Sequence, residues 1–205
     1  MNFKKPKFWD YPGLSVWSII LYPLSLLFLF TSSILRILKV EKKFSIPIIC
    51  IGNIYVGGTG KTSLSIKINK ILSHNNIKSC FVKKYYKNQI DEQKILEKNG
   101  TLFLSKKRLE AIRLAEKENY KFAIMDDGLQ DNSINYDISF VCFNNLNWIG
   151  NGMTLPSGPL RESITNLKKY KHLFLNGNLE NIEYLEQEIL KINPEIIIHI
   201  GKYEP

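Results

Sequence analysis

A glycine-rich turn between a short apolar run and a helix-like stretch restricts the possible folds most. The apolar run, residues 47–51, is continuous and β-branched, as is typical of a buried strand, and a helical pattern begins at residue 61. Glycines let such a turn fold tightly, so that backbone N–H groups and the positive end of the helix can point at phosphate oxygens. The spacing predicts a phosphate-binding loop at Gly57-Gly58-Thr59-Gly60-Lys61-Thr62.

Lys61 and Thr62 give this loop its chemistry. A lysine here reaches the β- and γ-phosphates of a nucleotide such as ATP, and the threonine hydroxyl is a ligand for Mg²⁺. The strict pattern has glycine where this chain has Tyr55, so the match is to a variant. Partition-type ATPases carry a second lysine where this chain has Val56, which argues against that class. The alternative is a glycine turn followed by a chance Lys-Thr pair.

Two adjacent aspartates are candidates for the metal site. Residues 122–125 predict a buried strand, and Asp126 and Asp127 come directly after it. A phosphate loop needs an acidic residue of this kind to hold Mg²⁺ opposite the phosphates. Because neighbouring residues of an extended chain point to opposite sides, the two aspartates need not share one role. The alternative is an acidic turn without a ligand.

Strand-like and helix-like stretches alternate after residue 45. They predict an α/β fold, a P-loop NTPase-like and mostly parallel sheet with helices on both faces. Such sheets bind ligands at the carboxyl ends of their strands, where the loops after Ile51 and Met125 fall. The predicted strands are residues 47–51, 78–82, 101–104, 122–125, 138–143, 172–175 and 196–200. The predicted helices are residues 61–73, 106–119 and 181–192.

The amino-terminal part of the chain predicts a membrane-associated helix. No charged residue occurs from Tyr11 to Leu35, a stretch long enough to cross a bilayer. Pro23 and several serines interrupt its apolar pattern, so crossing the bilayer and lying in its interface both stay open. A cleaved signal peptide and a hairpin in a soluble core are further alternatives. We expect residues 1–43 to anchor the chain to a membrane and residues 44–205 to form a P-loop core domain.

Composition narrows the range of partners. The chain has 28 Lys and Arg against 19 Asp and Glu, a net charge of +9. This charge is spread along the chain, whereas a nucleic acid would need it gathered on one face, so we expect no nucleic-acid partner. Basic groups on both sides of the apolar segment fit an anionic membrane surface better. The cysteines lie in apolar, strand-like runs and are expected to be buried, reduced thiols: Cys50, Cys80 and Cys142.

A third motif makes a family recognisable. It runs Gly150-Asn151-Gly152-Met153-Thr154-Leu155-Pro156-Ser157-Gly158-Pro159-Leu160-Arg161-Glu162. Together with the loop at 51–62 and Asp126-Asp127-Gly128-Leu129-Gln130, it closely resembles tetraacyldisaccharide 4′-kinase, the lipid A 4′-kinase family of Gram-negative bacteria. The resemblance covers nearly the whole chain. It implies transfer of the ATP γ-phosphate, with Mg²⁺, to the 4′-hydroxyl of a tetraacyldisaccharide 1-phosphate lipid at the cytoplasmic face of the inner membrane.

The resemblance also implies roles for individual residues. Asp126, Asp127 and Gln130 match the family's second nucleotide motif, with the two aspartates at the metal beside Thr62. Glu162 matches an acidic residue placed near that metal. The family's Gly-Asp-Glu-Pro motif carries the aspartate that activates the sugar hydroxyl. Its nearest equivalent is Ile90-Asp91-Glu92-Gln93, so Asp91 is the candidate base, and Lys61 the residue that neutralises developing charge.

Some parts of the chain depart from the family pattern. It has Lys83-Lys84-Tyr85-Tyr86 where the family has a Ser-Arg-Gly-Tyr-Gly-like turn, and Asp131 where a histidine is common. We also expect the family's carboxyl-terminal lobe, with its Asp-His-His motif, to be lacking, because no histidine of the chain matches it: His74, His172 and His199. Two alternatives to an active kinase stay open. One is a membrane-attached nucleotide-binding protein that has lost the activity with that lobe, and the other is a partition-type ATPase.

Overall fold

The regular structure consists of helices and strands that alternate along the chain. A computed structural model describes residues 5–38, 40–87, 89–178 and 180–202 of the protein. The strands are β1 (Ile48–Gly52), β2 (Ser79–Lys84), β3 (Leu102–Ser105), β4 (Phe122–Asp126), β5 (Ile138–Asn144), β6 (His172–Gly177) and β7 (Ile197–Lys202). The helices are α1 (Val16–Ile37), α2 (Lys61–His74), α3 (Ile90–Asn99), α4 (Arg108–Lys117) and α5 (Ile182–Ile192). Short 3₁₀ helices form at Lys7–Trp9 and Ile164–Lys169.

The strands form a sheet in the order β3-β2-β4-β1-β5-β6-β7. β1 pairs in parallel with β4 and β5, β2 with β3 and β4, and β6 with β7. Parallel neighbours need crossover connections, and the helices between the strands supply them. The α/β, mostly parallel fold expected from the sequence is therefore confirmed.

The described residues group into two compact units. Unit 1 takes in the described parts of Met1–Lys39, Ile54–Thr59 and Cys142–Pro205. Unit 2 takes in those of Val40–Asn53 and Gly60–Val141. The expected division into an anchoring segment, 1–43, and a core, 44–205, stays a prediction.

In unit 2, helices cover both faces of the strands. Met125 of β4 and Ile112 of α4 belong to one buried apolar cluster, so α4 covers that face. Successive residues of a strand point to opposite faces, so Asp126 turns to the other side. There, Ser65 of α2 donates a hydrogen bond to Asp126 over 3.3 Å. α2 therefore covers the face from which the candidate site residues project.

In unit 1, β6 and β7 run in register from the pair His172 and Ile197. Leu173 and Leu175 of β6 are fully buried, and α5 buries Leu185 and Ile189. Leu173 and Leu175 therefore point to one face of these strands, the buried one. His172, Phe174 and His199 point to the other face, where His172 Nδ1 and His199 Nε2 lie 3.2 Å apart and the two histidines pair with each other.

Helix α1 buries two serines and exposes most of its large apolar side chains. Ser18 and Ser25 are its buried residues, and the Ser25 hydroxyl donates to the Thr154 carbonyl over 2.9 Å and contacts Ser157 Oγ at 2.8 Å. Its segment Val16–Arg36 is long and apolar enough to cross a membrane, and 11% of its apolar window is buried. Its exposed large side chains include Trp17, Ile20, Leu24, Leu27, Phe30 and Leu35. The arrangement is the reverse of a helix in a soluble core.

The observed strands and the helices α2, α4 and α5 begin and end within two residues of the predicted ones. α1 begins at Val16, five residues after the start of the predicted apolar stretch, and the two 3₁₀ helices were not predicted. Sequence analysis predicted no helix between β2 and β3, and α3 (Ile90–Asn99) lies there. Gln93 and Leu96 are its buried residues. With only two buried positions in ten residues, the apolar periodicity is too weak to predict a helix from the sequence. The helix is therefore stabilised by its contacts with the rest of unit 2.

Candidate functional site

The glycine-rich loop ends where α2 begins. Gly60 precedes α2 with a left-handed backbone, φ 79°, and its carbonyl accepts the first helical hydrogen bond from the Leu64 amide at 3.0 Å. A side chain at this φ would be strained, which is why glycine occupies the position. No side chain caps this end of the helix, so its first amides stay available to an anion.

The preceding residues of the loop belong to unit 1 and carry an unpartnered polar atom. Thr59 is 1% exposed, and its hydroxyl has no hydrogen-bond partner among the residues that the structure describes. Buried hydroxyls are normally paired, because an unpaired one costs free energy. Gly57 has φ 144°, another conformation that favours glycine, and both Gly57 and Gly58 are exposed. An anion with free oxygen acceptors fits these features.

Tyr55, which departs from the strict pattern, has a local structural role. The residue is 2% exposed, and its hydroxyl donates to Asp10 Oδ1 over 3.0 Å. The ammonium of Lys5 contacts the same hydroxyl. Tyr55 therefore ties the loop to the segment that precedes α1. A glycine there could not make this contact.

Asp126 lies at the end of β4 beside the start of the loop. β1 and β4 are neighbours, with Ile51 opposite Asp126. The Asp126 side chain is fully buried, and Lys83 donates to its Oδ2 over 2.5 Å while Ser65 donates to its Oδ1. Burial raises the pKa of the Asp126 carboxyl, and the charges of Lys83 and Lys61 oppose that shift.

Lys83 is the partner that sequence analysis missed. Its side chain is 1% exposed, and its ammonium also donates to Glu92 Oε2 over 2.7 Å. Burial lowers the pKa of this lysine, but the carboxylates of Asp126 and Glu92 raise it by more. The net shift of the pKa is therefore upward. The predicted strand ended at residue 82, so the sequence placed Lys83 just outside it. The structure extends β2 to Lys84, and this extension puts the charge at a buried position of a central strand.

Asp127 has different surroundings from Asp126, as the alternation of side chains suggested. Its backbone is left-handed, φ 61°, and its amide donates to the Ile51 carbonyl over 2.8 Å. Its own carbonyl accepts from Arg108 Nη2 at 2.6 Å. The side chain is half-buried. The backbone contacts hold the end of β4 against the start of the loop in unit 2.

Gln130 acts on the loop through a backbone contact. Its Nε2 donates to the Asn53 carbonyl over 2.8 Å. Next to it, Arg108 Nη1 donates to Asp131 Oδ2 over 3.1 Å. Asp131, the residue that replaces the family's histidine, is therefore half of an ion pair. Gln130 positions the first residues of the loop.

The remaining predicted residues fall in three places. Lys61 and Thr62 are half-buried in the first turn of α2, in unit 2. Asp91 is exposed in the first turn of α3, next to Glu92. Glu162 belongs to unit 1, where it is 3% exposed and accepts from Arg36 at 2.5 Å, Asn166 at 2.8 Å and Tyr170 at 3.0 Å.

The residues of unit 2 suit a magnesium ion bound together with phosphates. Among the described residues, no three His, Cys, Asp or Glu side chains form a cluster that could hold a metal ion. Mg²⁺ at a phosphate loop needs no such cage, because it takes most of its oxygen ligands from phosphates and water. One hydroxyl and one or two carboxylates complete the set, and Thr62, Asp126 and Asp127 are of those kinds.

Comparison with known proteins places this chain in a family. The family model described as tetraacyldisaccharide-1-P 4′-kinase matches residues 17–102 and 91–201. The chain belongs to this family. A tetraacyldisaccharide 4′-kinase of Pelagibacter ubique (strain HTCC1062) is 55% identical over 208 residues, which cover 100% of this chain and 65% of the relative. One from Wigglesworthia glossinidia brevipalpis is 34% identical over 197 residues, covering 84% of this chain and 53% of the relative.

The chain thus spans between about half and two thirds of the length of these curated tetraacyldisaccharide 4′-kinases. Its fold is similar to that of "apo" form LpxK from Aquifex aeolicus, solved in complex with ATP. The TM-score is 0.66 at 18% identity, and the match covers 91% of this chain and 81% of that chain. The resemblance stated from the three motifs is confirmed, and membership of the kinase family does not favour a partition-type ATPase.

Proposed function

We propose that this member of the tetraacyldisaccharide 4′-kinase family binds ATP and Mg²⁺ and transfers the γ-phosphoryl group to the 4′-hydroxyl of tetraacyldisaccharide 1-phosphate. The product is the 4′-phosphorylated lipid A precursor. The observation that carries the proposal is the pairing of β1 and β4, which puts the buried Asp126 beside Ile51, near the end of the strand that leads into the phosphate loop. A phosphate loop and a strand-end acid on neighbouring strands are the two parts that phosphoryl transfer needs.

The residues of the chain act by binding phosphate and by moving one proton. Lys61 and the first amides of α2 bind the phosphate oxygens, and the Thr59 hydroxyl donates to one of them. Mg²⁺, if bound, would supply charge neutralisation at those oxygens, and Thr62, Asp126 and Asp127 would hold it. A metal role for Glu162 stays a prediction. The sugar 4′-oxygen forms a bond to the γ-phosphorus as the bond to the β-phosphate oxygen breaks. Asp91 accepts the hydroxyl proton.

Helix α1 attaches the chain to the membrane that holds its substrate. Exposed apolar side chains in this number mark a surface that meets lipid or protein. Ser25, near the middle of α1, is hydrogen-bonded within unit 1, which favours a helix lying in the interface over one crossing the bilayer. We place it at the cytoplasmic face of the bacterial inner membrane, with residues 1–43 as the anchoring segment and 44–205 as the kinase core.

The experiment is phosphate transfer from labelled ATP to the lipid acceptor, measured with the full chain in mixed micelles. Lys61→Ala should lower the transfer rate by at least about 100-fold, because a positioned charge at developing phosphate charge contributes on this scale. The matched control is Lys67→Ala, an exposed lysine of the same helix, which should behave as the unaltered chain does. Equal rates in the Lys61 variant and the control would overturn the assignment of Lys61.

ATP affinity, measured in parallel, separates the kinase from the remaining alternative. A chain that binds ATP through Lys61 but transfers no phosphate to the lipid would be the membrane-attached nucleotide-binding protein considered above. A chain that binds no ATP would refute both.

A further inference from the structure

Lys83 is a charged side chain in a place where charge is costly. It lies in β2 between β3 and β4, and its side chain is 1% exposed. An ammonium group is retained at such depth only where carboxylates compensate for the lost hydration. Two carboxylates do so here, Asp126 at 2.5 Å and Glu92 at 2.7 Å. They come from different elements, β4 and α3, so the lysine is a link between them.

The strand register explains how one side chain reaches both. β2 pairs with β4 in parallel, with Val82 opposite Met125. The next residue along each strand is therefore Lys83 and Asp126, on the same face of the sheet. Glu92 lies in the first turn of α3, one residue from Asp91.

A chain of polar contacts thus runs through unit 2. Ser65 of α2 donates to one oxygen of Asp126, Lys83 donates to the other, and the same ammonium donates to Glu92 of α3. α2 is the helix that begins at the phosphate loop, β4 ends at the metal-holding aspartates, and α3 carries the candidate base. None of the three motifs that identify the family includes Lys83.

We propose that Lys83 is a positioning residue, which holds the Asp126 carboxylate in orientation for Mg²⁺ and fixes the first turn of α3 to β4. This inference rests on the proposed function, since it assigns the consequence of the link to Mg²⁺ and Asp91. The ammonium of Lys83 contacts the carboxylates of Asp126 and Glu92. Its ammonium keeps one oxygen of Asp126 from rotating and keeps Glu92, next to Asp91, at a fixed distance from the metal-holding strand.

The test compares Lys83→Met with Lys84→Met, its neighbour in the same strand. Lys84 is half-exposed, and its ammonium lies 5.3 Å from the centre of the Tyr86 ring. Lys84→Met therefore removes the same chemical group without affecting the contacts with Asp126 and Glu92. Binding of a non-hydrolysable ATP analogue is titrated with and without Mg²⁺. In Lys83→Met, the gain in analogue affinity caused by Mg²⁺ should be smaller by about tenfold or more, and the affinity without Mg²⁺ should stay unchanged. A general loss of structure would weaken both affinities. Lys84→Met should retain both affinities.

Hydrogen exchange of the α3 amides gives a second readout that needs no nucleotide. Lys83→Met should expose the amides of residues 90–96 to faster exchange, and Lys84→Met should not. Glu92→Gln, at a half-exposed position, keeps the Lys83–Asp126 pair and removes only the charge toward α3. It should speed α3 exchange and lower kcat several-fold with KM for ATP unchanged, because only the base-bearing helix is released.

The variants together test whether Lys83 is a positioning residue. If Lys83→Met fails to fold, Glu92→Gln decides alone, and unaltered exchange and kcat in that variant would overturn the proposal. Unchanged Mg²⁺ dependence in a folded Lys83→Met variant would overturn it as well. If the unaltered chain binds no nucleotide, the proposed function is wrong. Hydrogen exchange of α3 in the two lysine variants would then still show whether Lys83 fixes α3 to β4.

Discussion

Asp126 and Asp127 are neighbours in the chain, yet they differ in burial and in backbone conformation. Asp126 is fully buried between Lys83 and Ser65, whereas Asp127 is half-buried in a left-handed turn. Removing one charge of a buried pair leaves the other charge uncompensated, which costs far more than removing an exposed one. The two carboxylates should therefore make unequal contributions to stability.

We expect Asp126→Asn to lower the free energy of unfolding by about 3 kcal/mol, since Lys83 then keeps Glu92 alone as its anionic partner. Asp127→Asn should change it by about 0.5 kcal/mol or less, because asparagine accepts the left-handed backbone and the site is partly solvated. Urea unfolding of the two variants measures both values. Equal destabilisation by the two variants would mean that the charge pairing of Lys83 with Asp126 does not contribute to the free energy of unfolding.

Cys80 gives a pH dependence with a definite sign. Burial raises the pKa of its thiol from 9.0 to about 12. The folded chain therefore holds the proton that the unfolded chain releases, so stability is full below about pH 9 and declines as the pH rises toward 12. Each pH unit in that window should cost about 1.4 kcal/mol for this one thiol.

Thermal unfolding of Cys80→Ala and of the unaltered chain between pH 8 and 11 checks this expectation. The alkaline decline should be smaller in the variant. A thiol reagent at pH 8 should label none of the three cysteines before unfolding, because all are buried. Rapid labelling of the folded chain would contradict the burial that raises the pKa.

Among the elements, the phosphate loop and α2 could be predicted from sequence because their determinants are local. Gly60, Lys61 and Thr62 are consecutive, and the left-handed backbone at Gly60 is a property of that residue. The predicted start of α2 coincides with the observed one, Lys61. The same holds for the ends of β1 and β4 at Gly52 and Asp126, since apolar runs followed by glycine or aspartate mark them.

Other features could not be predicted, because their determinants are distant in sequence. The Lys83–Asp126 contact joins residues 43 positions apart, and α3 depends in part on a bond from Gln93 Nε2 to the Tyr86 carbonyl. In α1, the serines looked like dilution of an apolar stretch. Two of them, Ser18 and Ser25, are buried against the rest of unit 1, and the partners of Ser25 lie 129 and 132 residues away.

The docking of α1 can be tested at Ser25. Ser25→Ala should lower the free energy of unfolding by about 1–3 kcal/mol, because it leaves the amide of Ser157 and the carbonyl of Thr154 without this partner in a buried place. Ser33→Ala, at an exposed position of the same helix, should leave it unchanged. Chemical unfolding of both variants in detergent gives the comparison, and equal stability would mean that α1 docks by other contacts.

For the molecule as a whole, we expect apolar surface and charge to act together in the proposed membrane binding. The chain has a net charge of +9, and α1 exposes a band of large apolar side chains. Apolar burial in the interface supplies binding that salt does not weaken, whereas attraction to anionic headgroups is screened. Binding to anionic vesicles should therefore weaken with salt but persist at high salt, and binding to neutral vesicles should vary little with salt.

The apolar contribution is tested by comparing two exposed leucines. Leu27 of α1 is 57% exposed, and Leu146, in a turn of unit 1, is 64% exposed. Burying a leucine is worth about 1.5–3 kcal/mol, so Leu27→Glu should weaken vesicle binding by about tenfold or more, while Leu146→Glu should bind as the unaltered chain does. Flotation with vesicles at high salt measures the bound fraction. Because both variants add the same charge, equal loss would show that charge rather than the apolar face of α1 holds the chain, and interfacial attachment through this helix would be wrong.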